Sequence, residues 1–283
     1  MKRLNVDELI IEATRFCNLD CAHCFRGEAT TEYMDPNTIC NIFENIGSIK
    51  KLVISGGEPL LALRQLRVIA NCINYYDVNV DNILIISNGT ILNERTINSL
   101  NELKSLCNNF KIVISNDKFH QMSIERLGLT DKRKVNFEIL KKLYNSEYYQ
   151  SPEDNKDTIF CDAGRARNIT TDELEEINKW GSVVTNYSII NPDFKYWNEI
   201  GAFTRFAHTV DDAHIKGVVD IDVDGYLVNM YVSYNEVKDY HNEYVNINEV
   251  GLLNSIKNFS PYFNEVHENY KRLNKSKTNS RMN

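Results

Sequence analysis

The sequence predicts an α/β fold: a parallel sheet with crossover helices over most of the chain, followed by a small unit made of a β-hairpin and a helix. Three observations carry this expectation. Short β-branched runs alternate with amphipathic stretches of helical period. Every strand in that alternation ends in small or polar residues. After about residue 206 the alternation gives way to a hairpin pattern. At 283 residues and 42% hydrophobic content the chain can bury a substantial core, enough for one large domain or one domain with an appendage.

Taken in order, Leu9 to Ala13 reads as the first strand and leads into a cysteine-rich loop. Asp35-Pro36 supplies an N-cap and a first-turn proline, and Ile39, Ile42, Phe43 and Ile46 keep helical spacing on one face. Lys51 to Ser55 is the next strand and ends in Gly56-Gly57-Glu58-Pro59. A helix from about Leu60 to Tyr76 precedes the strand Asn82 to Ile86, which ends in Ser87-Asn88-Gly89. A helix from about Asn93 to Leu106 precedes the strand Phe110 to Ile114, which ends in Ser115-Asn116-Asp117. Asn136 to Tyr148 reads as helical, Thr158 to Cys161 as a short strand, and Thr170-Thr-Asp-Glu173 as a capping box opening another helix. Gly217 to Val223, a two-residue turn at Asp224-Gly225, and Tyr226 to Tyr231 form the hairpin, with a helix from Val250 to Phe259 after it. In barrels of βα units the chemistry sits at the carboxyl rim, so four strand ends point at one site.

Composition narrows the function classes. The N-terminus has no apolar run long enough for a signal peptide, and no later stretch is long enough to span a bilayer, so a cytoplasmic protein is expected. Lys plus Arg number 32 against 39 Asp plus Glu; the net charge of -7 offers no general attraction to nucleic acid. Only residues 271–283 are basic, in a segment without apolar content that reads as a solvated, disordered end.

The seven cysteines are odd in number, and three are crowded into one loop, Cys17, Cys21 and Cys24, which argues for a metal in a reducing compartment over a disulfide framework. Cys40, Cys72 and Cys107 sit among apolar residues of predicted helices and read as buried, inert thiols. Three thiolates at CxxxCxxC spacing can close round one soft metal centre and are one short of a full set for a four-iron cluster or tetrahedral zinc. A metal left with an open position is usually there to bind and activate something. His23, between the last two cysteines, is open to three readings: an exposed loop residue, the fourth ligand of a Cys3His zinc site, or a ring that stacks on a bound cofactor.

The CxxxCxxC loop after strand one and the Gly-Gly-Glu-Pro after strand two, in this order, resemble the radical S-adenosylmethionine (radical SAM) superfamily over about the first two-thirds of the chain. The resemblance implies a partial (β/α)6 TIM-type barrel of parallel strands for residues 1–205. It implies one 4Fe-4S cluster held by Cys17, Cys21 and Cys24, with one iron left free for the amino and carboxylate groups of S-adenosylmethionine. An electron from the cluster then frees a 5'-deoxyadenosyl radical, with a reductase or a flavodoxin- or ferredoxin-type protein as donor. His23 stands where the family commonly has an aromatic residue against the adenine. Gly56 and Gly57 let backbone approach the cofactor, Glu58 can accept from its ammonium group, and Pro59 completes the motif. Ser87 and Asn88 match the family's third strand end, though alone they are a turn signal, and Ser115 and Asp117 hold the place of ribose or carboxylate contacts.

Cys161-Asp-Ala-Gly-Arg-Ala-Arg167 resembles a Gly-Arg-Ala segment of members with peptide substrates. Arg165 would then pair bidentately with the cofactor's carboxylate; otherwise it is a surface arginine opening a helix. Cys161 reads either as a buried structural thiol or as a hydrogen-atom donor to the substrate radical. Residues 220–230 and 245–249 look like the hairpin and helix of the SPASM or twitch extension, assigned here to 206–262 with a basic tail at 263–283. That extension normally binds auxiliary clusters, yet no cysteine follows Cys161, and Met230 stands about where one is expected. His120, His208 and His214 lie within reach of the barrel mouth without an assigned role. The leading expectation is a radical enzyme modifying a peptide or protein; the alternatives are a radical enzyme for a nucleotide or small metabolite, and an iron-sulfur or zinc redox sensor.

Overall fold

A computed structural model describes residues 3–24, 26–148, 165, 208–211, 213–228 and 245–256, the side chains of 208–211 excepted. Its centre is an eight-stranded sheet. The parallel run consists of β1 (Leu4–Thr14), β2 (Ile46–Gly56), β3 (Asn79–Ser87), β4 (Cys107–Ile114) and β5 (Glu147–Tyr148), each paired in parallel with the next. The helices between them are α1 (Pro36–Phe43), α2 (Leu63–Tyr75), α3 (Glu94–Lys104), α4 (Lys118–Arg126) and α5 (Thr130–Tyr144). This α/β architecture with a mostly parallel sheet is the predicted class, consistent with a partial barrel of TIM type.

Alternate residues of each strand face opposite sides of the sheet. Leu9, Ile11, Leu52, Ile54, Ile83 and Ile85 are buried with Ile39, Phe43, Leu66 and Leu100 of the helices in one large core. The opposite face carries a smaller cluster of Ile10, Val53 and Val218, with Leu84 and Ile86 against it. Both faces are apolar, which is why the central strands read as near-continuous hydrophobic runs.

Local chemistry sets the boundaries. Asp35 caps α1 by accepting from Asn37 N at 2.8 Å, with Pro36 in the first turn. Asn145 ends α5 in the left-handed conformation at φ 52°. The helix expected over 136–148 is therefore α5 followed by a two-residue strand, since Glu147 and Tyr148 pair with Val113 and Ile114. Helix α4 was not expected; Asp117 caps it by accepting from His120 N at 3.0 Å. Cys107 opens a strand and does not belong to a helix.

Beyond the βα units, β6 (His208–Asp211) and β7 (His214–Ile221) form an antiparallel pair, and β7 pairs antiparallel with β8 (Leu227–Val228). Strand β7 also runs parallel to β1, with Leu9 opposite Val219, so this hairpin is hydrogen-bonded into the same sheet as the cysteine-loop strand. Its turn is longer than the two residues expected: Asp222 N donates to Tyr226 O, Gly225 N donates to Asp222 O, and Gly225 adopts φ 89°. This is a three-residue loop of the kind that closes on a left-handed glycine. Helix α6 (Ile247–Val250) ends at Gly251 with φ 76°, and residues 252–256 are helical, so the helix expected from Val250 is broken at its start. Cys161, Met230, the strand at 158–161, the capping box at 170–173 and the tail at 263–283 lie outside the described residues. Among the described residues no helix is long and apolar enough to cross a membrane.

Candidate cofactor and metal site

Strand β1 ends in a loop that leaves and returns through one neck. Arg15 N donates to Glu32 O at 2.9 Å and Met34 N to Ala13 O at 3.1 Å, while Thr14 Oγ1 donates to Glu32 O and accepts from Phe16 N. The loop carries all three clustered cysteines. Within it Leu19 N donates to Cys17 Sγ at 3.4 Å, Cys24 N to Cys21 O, and Gly27 N to Cys24 O.

Neighbouring strand ends hold the loop in place. Asn88 donates through Nδ2 to Asn18 Oδ1 at 3.0 Å and lies 3.9 Å from Cys17 Sγ; Asn18 in turn donates to Thr90 Oγ1 at 2.8 Å. Ser123 of α4 accepts from Asp20 N and donates to its carboxylate. From β2, Gly57 N donates to Thr14 O at 2.7 Å and Glu58 N to Phe16 O at 2.8 Å. A Cβ at Gly57 would lie 2.4 Å from Phe16 O, and one at Gly56, whose φ is +129°, would lie 2.3 Å from Thr14 O. The two glycines were expected to admit a cofactor; what comes this close to them is the backbone leading into the cysteine loop.

Glu58 likewise turns inward. It is fully buried and accepts from Leu60 N (3.0 Å), Ser87 Oγ (2.9 Å) and Asn88 N (2.7 Å). Burial pushes its carboxyl up to about 7, against those three donors. Its contacts in the structure therefore join the β3 end to its own following turn, the 3-10 turn that Pro59 opens. Ser115 N donates to Ser87 O, which joins the β3 and β4 ends. Buried Arg133 of α5 fastens the same corner by donating to Asn88 O at 2.9 Å, to Asn116 Oδ1 at 3.0 Å and to Ser115 O.

Asp117, His23 and His120 form a second group beside the thiols. Asp117 Oδ2 lies 3.2 Å from His23 Nε2 and 2.6 Å from His120 Nδ1. Burial pushes the Asp117 carboxyl up, but the two imidazoles hold it well below the usual range. His23 stacks on Phe119, with ring centroids 4.6 Å apart and planes at 8°, and meets His120 edge-on at 5.0 Å. The ring of His23 thus lies flat on Phe119.

The thiols suit a bound cation. Burial raises Cys17 to about 11, and Glu58 and Cys24 push it the same way; Leu19 N–H and Arg165 oppose them. Cys21 is raised further by burial, by Asp117 and by the other two thiols. Three mutually repelling thiolates in a low-dielectric pocket are expensive unless metal charge sits among them, so this donor set fits a thiolate-ligated iron-sulfur centre. Arg165, expected to meet a cofactor carboxylate, donates from its backbone to Cys24 O at 2.9 Å and lies 3.4 Å from Glu28 Oε2; its Nε is buried without a hydrogen-bond partner.

A buried ion network next to the loop was not expected from sequence. Glu12 on β1 pairs with Arg15 at 2.8 Å and with Arg26, and Arg26 reaches Asp220 of β7 at 3.4 Å. Asp222 is raised to about 7, first by burial and then by Glu12, with Arg15 opposing. The signal available in sequence was an acid inside an apolar run, Glu12 in 9–13 and Asp220 in 218–223. His214 is tied to Asp7 at 2.9 Å on the exposed edge, away from the thiols.

Comparison with known proteins places the chain. The model for the radical SAM superfamily matches residues 11–159, more than half of the sequence. An uncharacterized protein of Methanocaldococcus jannaschii is 29% identical over 149 residues, which are 51% of this chain and 50% of that protein, so the chain spans about half the length of the curated relative it matches. Among solved structures, native anSMEcpe with bound AdoMet and Cp18Cys peptide is 20% identical with a TM-score of 0.40, covering 77% of this chain and 51% of that one. Streptococcus suis SuiB bound to precursor peptide SuiA is 11% identical with a TM-score of 0.43, covering 88% and 64%.

Proposed function

This chain belongs to the radical SAM superfamily, which implies an iron-sulfur cluster and S-adenosylmethionine, and on that premise we propose that it is a radical enzyme acting on a peptide or protein. Cys17, Cys21 and Cys24 would hold a four-iron cluster and leave one iron open. When bound, the cluster supplies the electron that cleaves S-adenosylmethionine to a 5'-deoxyadenosyl radical, which takes a hydrogen atom from the substrate.

The chain's own residues position and shield. Asn18, Asn88 and Ser123 fix the loop, and Gly57 and Glu58 dock it on the β2 end. Arg133 keeps the β3 and β4 ends together, so three strand ends meet the loop at one rim. Ser87, Ser115 and Glu58 serve as positioning residues, and Asp117 and Arg165, whose charges act on Cys21 and Cys17, are the polar contacts for the amino acid and ribose parts of the cofactor. Cys161 is the candidate hydrogen-atom donor.

The observation that carries this reading is the docking of the Gly-Gly-Glu edge on the cysteine loop, Gly57 N to Thr14 O and Glu58 N to Phe16 O. The peptide part rests on the Gly-Arg-Ala segment and on the likeness of residues 220–230 to a peptide-enzyme extension. The test is anaerobic reconstitution with iron and sulfide, addition of S-adenosylmethionine and a strong reductant, and measurement of 5'-deoxyadenosine against Cys21→Ala. Production lost in the variant is expected; an iron-loaded protein yielding no more than the variant overturns the proposal.

A further inference from the structure

We propose that Cys21, His23 and His120 form a mononuclear site for a borderline-soft divalent cation, zinc or iron(II), which shares Cys21 with the three-cysteine set and therefore excludes the cluster. One ligating atom from each of the three residues lies within 4.8 Å of the others. Tetrahedral zinc bonded to nitrogen and sulfur spaces its ligand atoms roughly 3.3–3.8 Å apart, so side-chain shifts of about 1 Å close the set.

The two imidazoles are already prepared for such a role. Asp117 Oδ2 accepts at Nε2 of His23 and at Nδ1 of His120. A ring that gives one N–H to a carboxylate presents a lone pair at its other nitrogen, which is the arrangement of metal-bound histidines. That leaves a lone pair at Nδ1 of His23 and at Nε2 of His120 for a metal once the rings aim them at the Cys21 sulfur, and Nδ1 of His23 is buried without a hydrogen-bond partner. Asp117 is itself fixed by accepting from His120 N at 3.0 Å, and stacking on Phe119 fixes the plane of His23. A sulfur and two imidazole nitrogens suit zinc or ferrous iron; magnesium and calcium prefer oxygen.

Neither Cys17 nor Cys24 belongs to the set, which separates this site from the cluster. A Cys17→Ser/Cys24→Ser double variant cannot hold a three-cysteine cluster, yet it retains all three proposed ligands. The full chain, stripped with a chelator and kept anaerobic, is titrated with Co2+ as a spectroscopic stand-in for zinc. The double variant is expected to bind one Co2+ per chain, with intense visible bands of tetrahedral geometry and a thiolate-to-cobalt band in the near ultraviolet, and to release it to Zn2+. His120→Ala in that background weakens binding by at least about tenfold, and Cys21→Ser abolishes the thiolate band. Far-UV circular dichroism checks that each variant is folded; His120 is half-buried on the surface of α4, so its truncation is tolerated. No Co2+ bound by the folded double variant, or unchanged affinity in folded His120→Ala, overturns the proposal. No S-adenosylmethionine enters the measurement, so its outcome is independent of the radical chemistry.

Discussion

Glu58→Gln tests how much of the rim depends on one buried carboxylate. Glu58 accepts from Leu60 N, Ser87 Oγ and Asn88 N, and burial nevertheless raises it from 4.5 to about 7. The folded protein therefore holds a proton on this group, between those two values, that the unfolded chain has lost. Its stability is undiminished below about pH 4.5 and falls as pH rises through about 7. At ~1.36 kcal/mol per pH unit the full loss is about 3 kcal/mol. Glutamine keeps the shape and cannot ionise, but its NH2 opposes a backbone N–H of Leu60 or Asn88, which costs about 1–3 kcal/mol at any pH. The assay is urea unfolding of metal-free protein by circular dichroism from pH 5 to 8. Wild type and variant are compared at each pH, since buried Asp220 and Asp222 titrate in both. Relative to wild type the variant should gain about 2–3 kcal/mol between pH 5 and pH 8, enough to close or reverse its deficit. A gap that stays constant or widens refutes the reasoning.

Three further outcomes follow from the same contacts. Gly57→Ala drives a Cβ into Phe16 O, so the reconstituted protein should retain only a small fraction of wild-type iron, measured per chain by colorimetric assay. Arg133→Met leaves Asn88 O and Ser115 O without their donor and should cost about 3 kcal/mol in urea unfolding, while S-adenosylmethionine binding by calorimetry weakens as the β3 and β4 ends separate. Cys40 Sγ and Cys72 Sγ lie 3.3 Å apart, so the disulfide-forming oxidant diamide should join α1 to α2. Peptide mapping would show that bond as a loss of two hydrogens, absent in Cys72→Ser.

Much of the parallel sheet was legible because its central strands are buried on both sides and keep unbroken β-branched runs. The observed strands start earlier than the sequence suggests, since polar Asn5 and Glu8 continue β1, Asn5 pairing with Ser48 and Glu8 with Lys51 and Val218. Helix α4 was hidden because it buries only Phe119, Ser123 and Ile124, too short a stripe to mark a helical period. The cysteine loop and Gly-Gly-Glu were legible as a pair, yet the reason for two glycines was not. No local pattern states that Thr14 O and Phe16 O lie against them. The pairing of β7 with β1 joins residues about 200 positions apart and has no local signature. Glu12, Asp220 and Asp222 are acids in apolar runs, but nothing local names their partners, which lie together only once β1, the loop and β7 are assembled.

That network ties the cysteine loop to the C-terminal hairpin. Arg26 leaves the loop two residues after Cys24 and is held on one side by Glu12 of β1 and on the other by Asp220 of β7. An arginine buried to this degree is stable only with both acids present, because removing one partner leaves charge stranded in a low-dielectric interior. Without β7, Arg26 would lose Asp220, and β1 would lose the ladder on the edge opposite β2. The strand that leads into the thiol loop would then become an open sheet edge. The hairpin is therefore a structural condition for the position of Cys24 and contributes no thiol of its own among the described residues. Its lack of cysteines, which reads from sequence as a lost cluster-binding function, is compatible with a retained mechanical one: holding the exit of the loop against β1 while the three strand ends hold its entrance.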